Sequence, residues 1–279
     1  AASDVYKRQV YMYTDWHHPS PQMNQIIAEY LLSLFNAPGY VASLSQNEEL
    51  NNNARRNFIG NEFKSLRLDA RELGEFTVFA DILTGVDKNT RSLNSRNVVA
   101  PGIGLGLAYR AGEGLDLGGA ITLFTGDRHP SNQLKYRHQS QGITLFGQYK
   151  DPNGGLWGNA ELHSSAEQMD DIKRSMQFLK KVRTERGETT GNTSGGSITL
   201  GYDIPMSSGL QEICEQWFVS PYIRYGYDRY KVKGYTEKDN TSTSMVFKDQ
   251  DKKNKLVTIG TQFSTCLLYT SPSPRDKRQ

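Results

Sequence analysis

From residue 74 onward, apolar side chains fall at every second position, which is the period of a β-strand. The clearest case runs from Ile103 to Tyr109, where large apolar residues alternate with Gly and Ala. Eight such segments follow one another, and each predicts a strand of about ten residues. They lie at 76–83, 102–109, 115–123, 143–149, 156–163, 197–204, 219–228 and 257–263.

The connections between these segments alternate in length and charge. Short or moderate ones lie at 110–114, 151–155 and 205–216, and longer charged ones at 86–96, 127–137, 170–194 and 236–253. The second face of the strands is Gly-rich but also carries Asp81, Asp116, Glu161, His163 and Asp203. Short turns at one end, long loops at the other and a polar inner face are typical of an antiparallel up-and-down transmembrane β-barrel. A soluble all-β domain is the second interpretation.

Two helical segments precede the strands. Ser20 and Pro21 match the cap and first position of a helix, apolar residues then recur at helical spacing, and Ala37-Pro38-Gly39 is expected to end it. Residues 43–71 are polar on almost every face, so a helix there favours a polar cavity such as a barrel lumen. The alternative is an exposed surface linker.

Composition narrows the class of protein. The chain has 279 residues, and no run approaches 18 consecutive apolar residues, which excludes a bundle of transmembrane helices. The formal net charge of +3 comes entirely from the two ends. The rest of the chain therefore has no net positive charge that would indicate nucleic acid as a partner.

The two ends resemble translated sequencing-adapter read-through. Residues 1–9 and 266–279 are therefore interpreted as artefacts that take no part in the fold. The alternative is that they are natural disordered tails. We then expect the natural protein to extend beyond both ends, and Cys214 to be its only cysteine here, which excludes a disulfide scaffold and a Cys-based zinc site.

The sharpest chemical motif is Asp15-Trp16-His17-His18-Pro19. Asp15 and His18 are spaced so that one turn brings a carboxylate to the imidazole, and such a pair can prepare the ring to take a proton from a serine. Taken alone, Asp15 is equally well a turn residue and His18 an exposed loop histidine. His17 is interpreted as a neighbour without a role.

Asp-x-x-His-Pro, followed by a helix with Ile27-Ala28-Glu29-Tyr30 and Ala37-Pro38, resembles the last conserved block of the GDSL (SGNH) esterases, and more specifically their outer-membrane autotransporter branch. The resemblance continues through the strand region and spans about residues 10–265. Its further motifs are TERGE at 184–188, LGYDI at 200–204, Ser220-Pro221, VKGYTEK at 232–238 and FKDQ at 247–250.

The resemblance implies a domain organisation and a chemistry. Residues 10–40 correspond to the end of the α/β hydrolase passenger, 41–73 to a linker helix in the barrel lumen, and 74–265 to a barrel with about eight of the family's twelve strands. His18 matches the family's general base and Asp15 the acid that orients it. The serine nucleophile and oxyanion groups lie N-terminal in the family and have no counterpart here.

The implied protein sits in the bacterial outer membrane, with its passenger on the cell surface. Expected partners are membrane lipid and lipopolysaccharide, an ester substrate and the barrel-assembly machinery. The basic run Lys173 to Arg186 is either a solvated loop or a contact to lipopolysaccharide phosphate. A barrel that only anchors or transports, without hydrolysis, is the alternative function.

No cofactor and no metal are expected. His129, His138 and His163 lack ligand spacing, and Gly102-Ile103-Gly104-Leu105-Gly106 is not a dinucleotide fingerprint. Glu161 and His163 share one strand face, which favours a hydrogen-bond network with the linker helix.

Overall fold

The computed structural model describes residues 12–14, 17–69, 71–87, 98–206 and 217–265. It contains one long helix, α1 (Pro21–Leu68), followed by β-strands. The strands are β1 (Phe76–Asp87), β2 (Val98–Gly112), β3 (Leu115–Arg128), β4 (Leu134–Lys150), β5 (Leu156–Phe178), β6 (Lys181–Tyr202), β7 (Ile204–Met206), β8 (Trp217–Val232), β9 (Tyr235–Thr236), β10 (Val246–Phe247) and β11 (Gln250–Thr265).

The long strands form one antiparallel up-and-down sheet in the order β1-β2-β3-β4-β5-β6-β8-β11. The short strand β7 pairs with β8, and β9 pairs with β10 in a separate two-stranded unit. The eight segments expected from the alternating pattern coincide with these eight long strands, which confirms the fold class. Among the described residues, no pairing joins β1 to β11.

The outer face of the sheet is apolar over a continuous band, which we call the apolar band. Its side chains are large and solvent-exposed, with Leu162 at 69% and Ile259 at 80% exposure. The inner face carries mostly small and polar residues, with two apolar clusters. In one of them the aromatic side chains of α1 pack with Ala100, Ala108, Ala120, Phe124 and Phe146. This is the distribution of a membrane barrel, whose lipid-facing and inward residues alternate.

The strands are longer than expected, from 12 to 23 residues in the main sheet. The predicted loops at 127–137 and 170–194 were wrong, because β4 begins at Leu134 and β5 and β6 run to Phe178 and from Lys181. Beyond the apolar band the outward positions are polar, so the hydrophobic alternation stops although backbone pairing continues.

Helix α1 was expected to end at Ala37-Pro38-Gly39, and this was wrong: a single helix of 48 residues continues through Pro38. Proline removes the backbone N–H that would bond four residues back, which usually bends or ends a helix. Here Ala37 and Val41 are buried on both sides of Pro38, and Val41 packs with Leu44 against β4 and β5. Tertiary packing therefore outweighs the lost hydrogen bond.

Among the described residues, no helix is long and apolar enough to cross a membrane.

The sheet curves around α1. Glu49 lies 2.6 Å from Lys252 on β11, while a Cβ on Gly85 of β1 would lie 2.8 Å from the Leu50 carbonyl oxygen. Neighbouring residues of one helical turn therefore touch the two opposite edge strands. In a flat sheet of eight strands those edges would be roughly 34 Å apart, about three times the diameter of a helix.

Candidate functional site

The segment before α1 is held by backbone hydrogen bonds. The Thr14 N–H donates to the His18 carbonyl oxygen at 2.9 Å, and the Ser20 N–H donates to the Met12 carbonyl oxygen at 2.9 Å. Ser20 caps the helix as expected, because its hydroxyl oxygen accepts from the Met23 N–H at 3.1 Å. This turn fixes where His18 stands relative to the helix axis.

The side chains of His17 and His18 are both exposed in this segment. Asp15, the predicted partner of His18, lies outside the described residues. The Asp15–His18 pairing therefore stays a prediction, and the choice of His18 over His17 stays one as well.

The middle of α1 is bound to the inner face of the sheet by buried ion pairs. Arg55 contacts Glu161 on β5 at 3.3 Å, and Arg56 contacts Asp228 on β8 at 2.7 Å and Glu161 at 3.6 Å. Ser197 on β6 donates a further hydrogen bond to Glu161 at 3.1 Å. Glu161 therefore belongs to a hydrogen-bond network with the helix.

His163 faces the same network. Its Nε2 lies 3.6 Å from an Asp228 oxygen, longer than a hydrogen bond, and its side chain is buried beside the two arginines. In the described part of the chain neither imidazole nitrogen has a hydrogen-bond partner, so the ring packs beside Asp228 and the two arginines.

A second buried cluster lies nearer the N-terminal end of the helix and was missed by the sequence analysis. His138 Nε2 on β4 lies 3.0 Å from Glu48 of α1 and 3.2 Å from Glu167 of β5. The three side chains come from three separate elements, so no sequence spacing reports them. The sequence did contain one indication of the cluster, because Glu48 and His138 both fall on inward-facing positions.

The three ligand-type atoms lie within 4.8 Å of one another, a grouping that could in principle hold a metal ion. Arg128 donates to the side-chain oxygen Oδ1 of Asn51 at 3.3 Å, and the side-chain nitrogen Nδ2 of Asn51 lies 3.5 Å from His138 Nδ1. In the neutral ring, this orientation corresponds to a proton on Nε2, which faces the two carboxylates. In this arrangement the imidazole lies within hydrogen-bond distance of Glu48 and Glu167, and the same three groups have the spacing of a metal site.

The C-terminal end of α1 makes a third set of contacts. The Arg67 guanidinium stacks over Trp157 at 4.1 Å, lies 3.8 Å from Asp203 and donates to Gln262 of β11 at 2.8 Å. Just beyond the helix, Arg71 contacts Asp116 at 2.7 Å. A cavity of about 820 Å³ opens between this end of the helix and the short turns.

The polar faces of the helix and strands also predict that Lys64 pairs with an inward carboxylate and that Glu48, Glu49 and Glu62 pair with Arg224. These pairs are absent from the described part of the chain. Lys64 is exposed, and Glu62 is buried with one carboxylate oxygen lacking a hydrogen-bond partner. Arg224 donates to the Thr199 hydroxyl at 3.0 Å instead of to a glutamate, and Asp81 is exposed on the edge strand β1. Glu49 pairs with Lys252 because β11 brings that lysine inward.

The far ends of β5 and β6 form an outer clamp with the segment 236–247. Arg174 donates to both carboxylate oxygens of Glu237 at 2.7 and 2.6 Å, with both side chains buried. Glu29 of α1 accepts from the Leu179 N–H at 2.7 Å, so the helix is also fastened to the hairpin tip.

Glu185 lies inside this clamp. Burial alone raises the pKa of its carboxyl group, but hydrogen bonds from Ser244, Thr241 and Thr243, together with the charge of Arg174, outweigh burial and hold the pKa below its ordinary value. A charged Glu185 is therefore part of the folded outer clamp.

A curved antiparallel sheet with an apolar exterior, a polar interior and a helix bonded inside defines a β-domain of the outer-membrane type. The chain belongs to the autotransporter β-domain family, whose model matches residues 86–271. It is 28% identical over 262 residues to Lipase 1 of Photorhabdus luminescens, covering 94% of this chain and 37% of that protein. It is 26% identical over 258 residues to Esterase EstA of Pseudomonas aeruginosa, covering 90% of this chain and 38% of EstA.

The chain thus spans little more than a third of the length of these relatives. The family match itself begins within β1 and contains neither α1 nor the histidine segment.

Proposed function

We propose that this chain is part of an outer-membrane autotransporter esterase, in which the sheet anchors a passenger that hydrolyses carboxylic esters. The observation that carries the proposal is the similarity to Lipase 1 and EstA over at least nine tenths of this chain, which takes in most of the sequence outside the β-domain match as well.

In the proposed reaction, a serine outside this chain attacks the ester carbonyl carbon. His18 accepts the serine proton and then donates it to the departing alcohol as the acyl-enzyme forms. Water, deprotonated by the same imidazole, releases the acid and restores the serine. Asp15 orients the ring of His18 and stabilises its charged form, acting as a positioning residue.

The proposed organisation assigns residues 10–40 to the end of the passenger, 41–73 to a linker helix inside the barrel and 74–265 to the barrel itself. Three observations support the helix placement: the ion pairs of Arg55 and Arg56, the His138 cluster and the contacts of α1 with both edge strands. The proposal also treats residues 1–9 and 266–279 as artefacts, while the family match extends to residue 271.

Family membership places the domain in the outer membrane. The cell-surface position of the passenger, insertion by the barrel-assembly machinery and contact with lipopolysaccharide are part of the proposal. The ester substrate would meet the passenger outside the cell, because the polar helix would fill the barrel and leave no open channel through it.

The test uses the complete protein, with the upstream region restored, and a chromogenic carboxylic ester. His18→Ala should lower kcat on the order of 10³-fold or more, and Asp15→Asn should lower it through the wrong imidazole tautomer. His17→Ala is the matched control and should leave most activity intact.

Equal losses in the two histidine variants would overturn the choice of His18. An inactive complete protein that folds and inserts normally would instead support a barrel that only anchors or transports.

A further inference from the structure

The outer face of β8 and β11 carries a compact group of cations, which we call the basic rim: Arg229, Lys231, Lys253 and Lys255. In the strand register Arg229 stands opposite Lys253, Tyr227 opposite Lys255 and Lys231 opposite Asp251. The three lysines are exposed and Arg229 is half-buried. Side chains directly opposite on one face of an antiparallel pair lie about 5 Å apart at Cβ, so these cations share one small surface.

The charge of the basic rim is largely uncompensated. Asp251 accepts from Arg229 at 2.9 and 2.5 Å, while Lys231, Lys253 and Lys255 form no ion pair within the described part of the chain. Like charges opposite one another destabilise a sheet. An anion bridging Arg229 and Lys253 would relieve that repulsion.

Lys252 provides an internal contrast. It is the neighbour of Lys253 on the same strand but points inward, where it contacts Glu49 at 2.6 Å. The lysine-rich run of β11 thus has its inward member satisfied by the protein, while its outward members Lys253 and Lys255 face the surroundings.

The basic rim begins where the apolar band ends. Ile223 and Tyr225 on β8, and Val257 and Ile259 on β11, are exposed apolar or aromatic residues directly below it. Cations immediately beyond a lipid-facing band lie at the level of the lipid headgroups. The rim is on the side of the long β5–β6 hairpin, which an outer-membrane barrel turns to the outside of the cell.

Other described strands lack such an excess at the same level. The outward positions next to the apolar band on β5 are Ser164 and Ala166, and those on β6 are Asn192 and Ser194. On β3 and β4, Arg137 is balanced by Asp127 at 3.5 Å. Positive charge therefore concentrates on one side of the described sheet.

The run from Lys173 to Arg186 is less suited to bind lipid phosphate. Arg174 is buried against Glu237, Lys173 contacts Asp171, and Arg186 lies 3.1 Å from Asp239. These three charges are paired within the protein. Lys180 and Lys181 are exposed, but they lie at the hairpin tip, well beyond the apolar band.

We propose that the basic rim binds the phosphate groups of a phosphorylated glycolipid in the outer leaflet, the lipid A type of headgroup. Lys253, Lys255 and Arg229 contact phosphate, while the acyl chains lie along Ile223, Val257 and Ile259. The proposal rests on the outer-membrane location of the domain and is independent of esterase activity.

The test measures binding of bisphosphorylated lipid A to the complete protein in phosphatidylcholine nanodiscs, by native mass spectrometry. The Lys253→Gln/Lys255→Gln variant should reduce lipid A occupancy by roughly tenfold. The matched control is Lys180→Gln/Lys181→Gln, which removes two exposed lysines at the hairpin tip and should bind lipid A normally. Lys253→Arg/Lys255→Arg should also retain binding and show that the rim variant's loss is one of charge.

Three outcomes would overturn the proposal. They are equal lipid A binding by the rim and tip variants, equal binding of a fully dephosphorylated lipid A, and displacement of the lipid by millimolar inorganic phosphate. The last would indicate a site for free phosphate. Thermal unfolding of each variant, measured without lipid A, verifies that the barrel is intact, and ester hydrolysis by the rim variant should equal that of the unmodified protein.

Discussion

Arg56 of α1 donates from one terminal nitrogen to both carboxylate oxygens of Asp228 on β8, at 2.9 and 2.7 Å. Both side chains are buried, so the pair has little access to water. Removing one member of a buried ion pair leaves the other charged and unpaired, which costs far more than the pair itself contributes. This bond therefore makes the position of the helix sensitive to single substitutions in the strands.

We expect Asp228→Ala to destabilise the folded domain by about 3–5 kcal/mol, because the buried charge of Arg56 loses its closest partner and keeps only the 3.6 Å contact with Glu161. Thermal or urea unfolding of the complete protein in detergent would measure the change. The exposed Lys238–Glu188 pair is the matched control, and Glu188→Ala should cost about 1 kcal/mol or less. Similar effects of the two substitutions would contradict the buried helix contact.

The double variant Arg56→Met/Asp228→Leu should recover most of the lost stability, since apolar side chains of similar size often replace a buried pair without penalty. Failure to recover would show that Arg56 has a further essential partner, for which Glu161 at 3.6 Å is the candidate.

Cysteine cross-linking tests whether the helix lies inside the sheet. Cysteines at Asn52 and Tyr230, whose native side chains are joined by a 3.0 Å hydrogen bond, should be linked by a short bifunctional maleimide. A second pair at Arg56 and Glu161 should behave likewise, while the exposed Lys64 paired with Glu161 should not react. Absence of both products, together with a large open-channel conductance in planar bilayers, would show that the helix lies outside.

Glu185 predicts a pH dependence of the outer clamp. Its pKa is lowered in the folded protein, so its contribution to stability is fully present above the ordinary glutamate pKa and is lost as pH falls through the lowered value. Hydrogen exchange of residues 236–247 should therefore be slow at neutral pH and accelerate at acidic pH. In Glu185→Gln, exchange should already be faster at neutral pH and respond less to acid. Identical pH profiles of hydrogen exchange in the unmodified protein and in Glu185→Gln would contradict this role.

The cap of α1 gives a small, local prediction. Ser20→Ala removes the acceptor for the Met23 N–H and should cost about 1 kcal/mol of helix stability at its N-terminal end. Ser20→Asp keeps an acceptor and should retain the stability. Hydrogen exchange of the first helical turn would detect the difference, and unchanged protection in Ser20→Ala would show that neighbouring contacts hold this turn.

The strands could be predicted because burial on one face and lipid on the other impose a strict alternation, visible from Ile103 to Tyr109. Their full lengths could not, because outward positions near Arg137 and Gln168 face water and lose the hydrophobic signal. The predicted helix end at Pro38 was wrong for a related reason. Local propensity disfavours helix there, and the packing of Ala37 and Val41 that outweighs it depends on strands far along the chain.

The interior contacts divide in the same way. A network between Glu161 and the helix could be predicted from sequence, because Glu161 lies on a polar strand face and the helix is polar on almost every side. The His138 cluster could not, since it depends on the register that places Glu167 beside Ser140 and on the rotation of the helix. The Asp15–His18 pairing remains a prediction, because Asp15 lies outside the described residues.

A helix that continues unbroken for 48 residues would span roughly 72 Å, more than twice the thickness of a bilayer's hydrocarbon core. Because Pro38 does not interrupt it, the portion fixed among the strands and the portion beyond them form one rod. Whatever precedes Pro21 is then held at a fixed axial position and a fixed rotation about the helix axis, whereas a flexible linker would leave both free to vary. Inserting a single residue between Ala37 and Val41 would turn everything upstream by about 100° and raise it by about 1.5 Å.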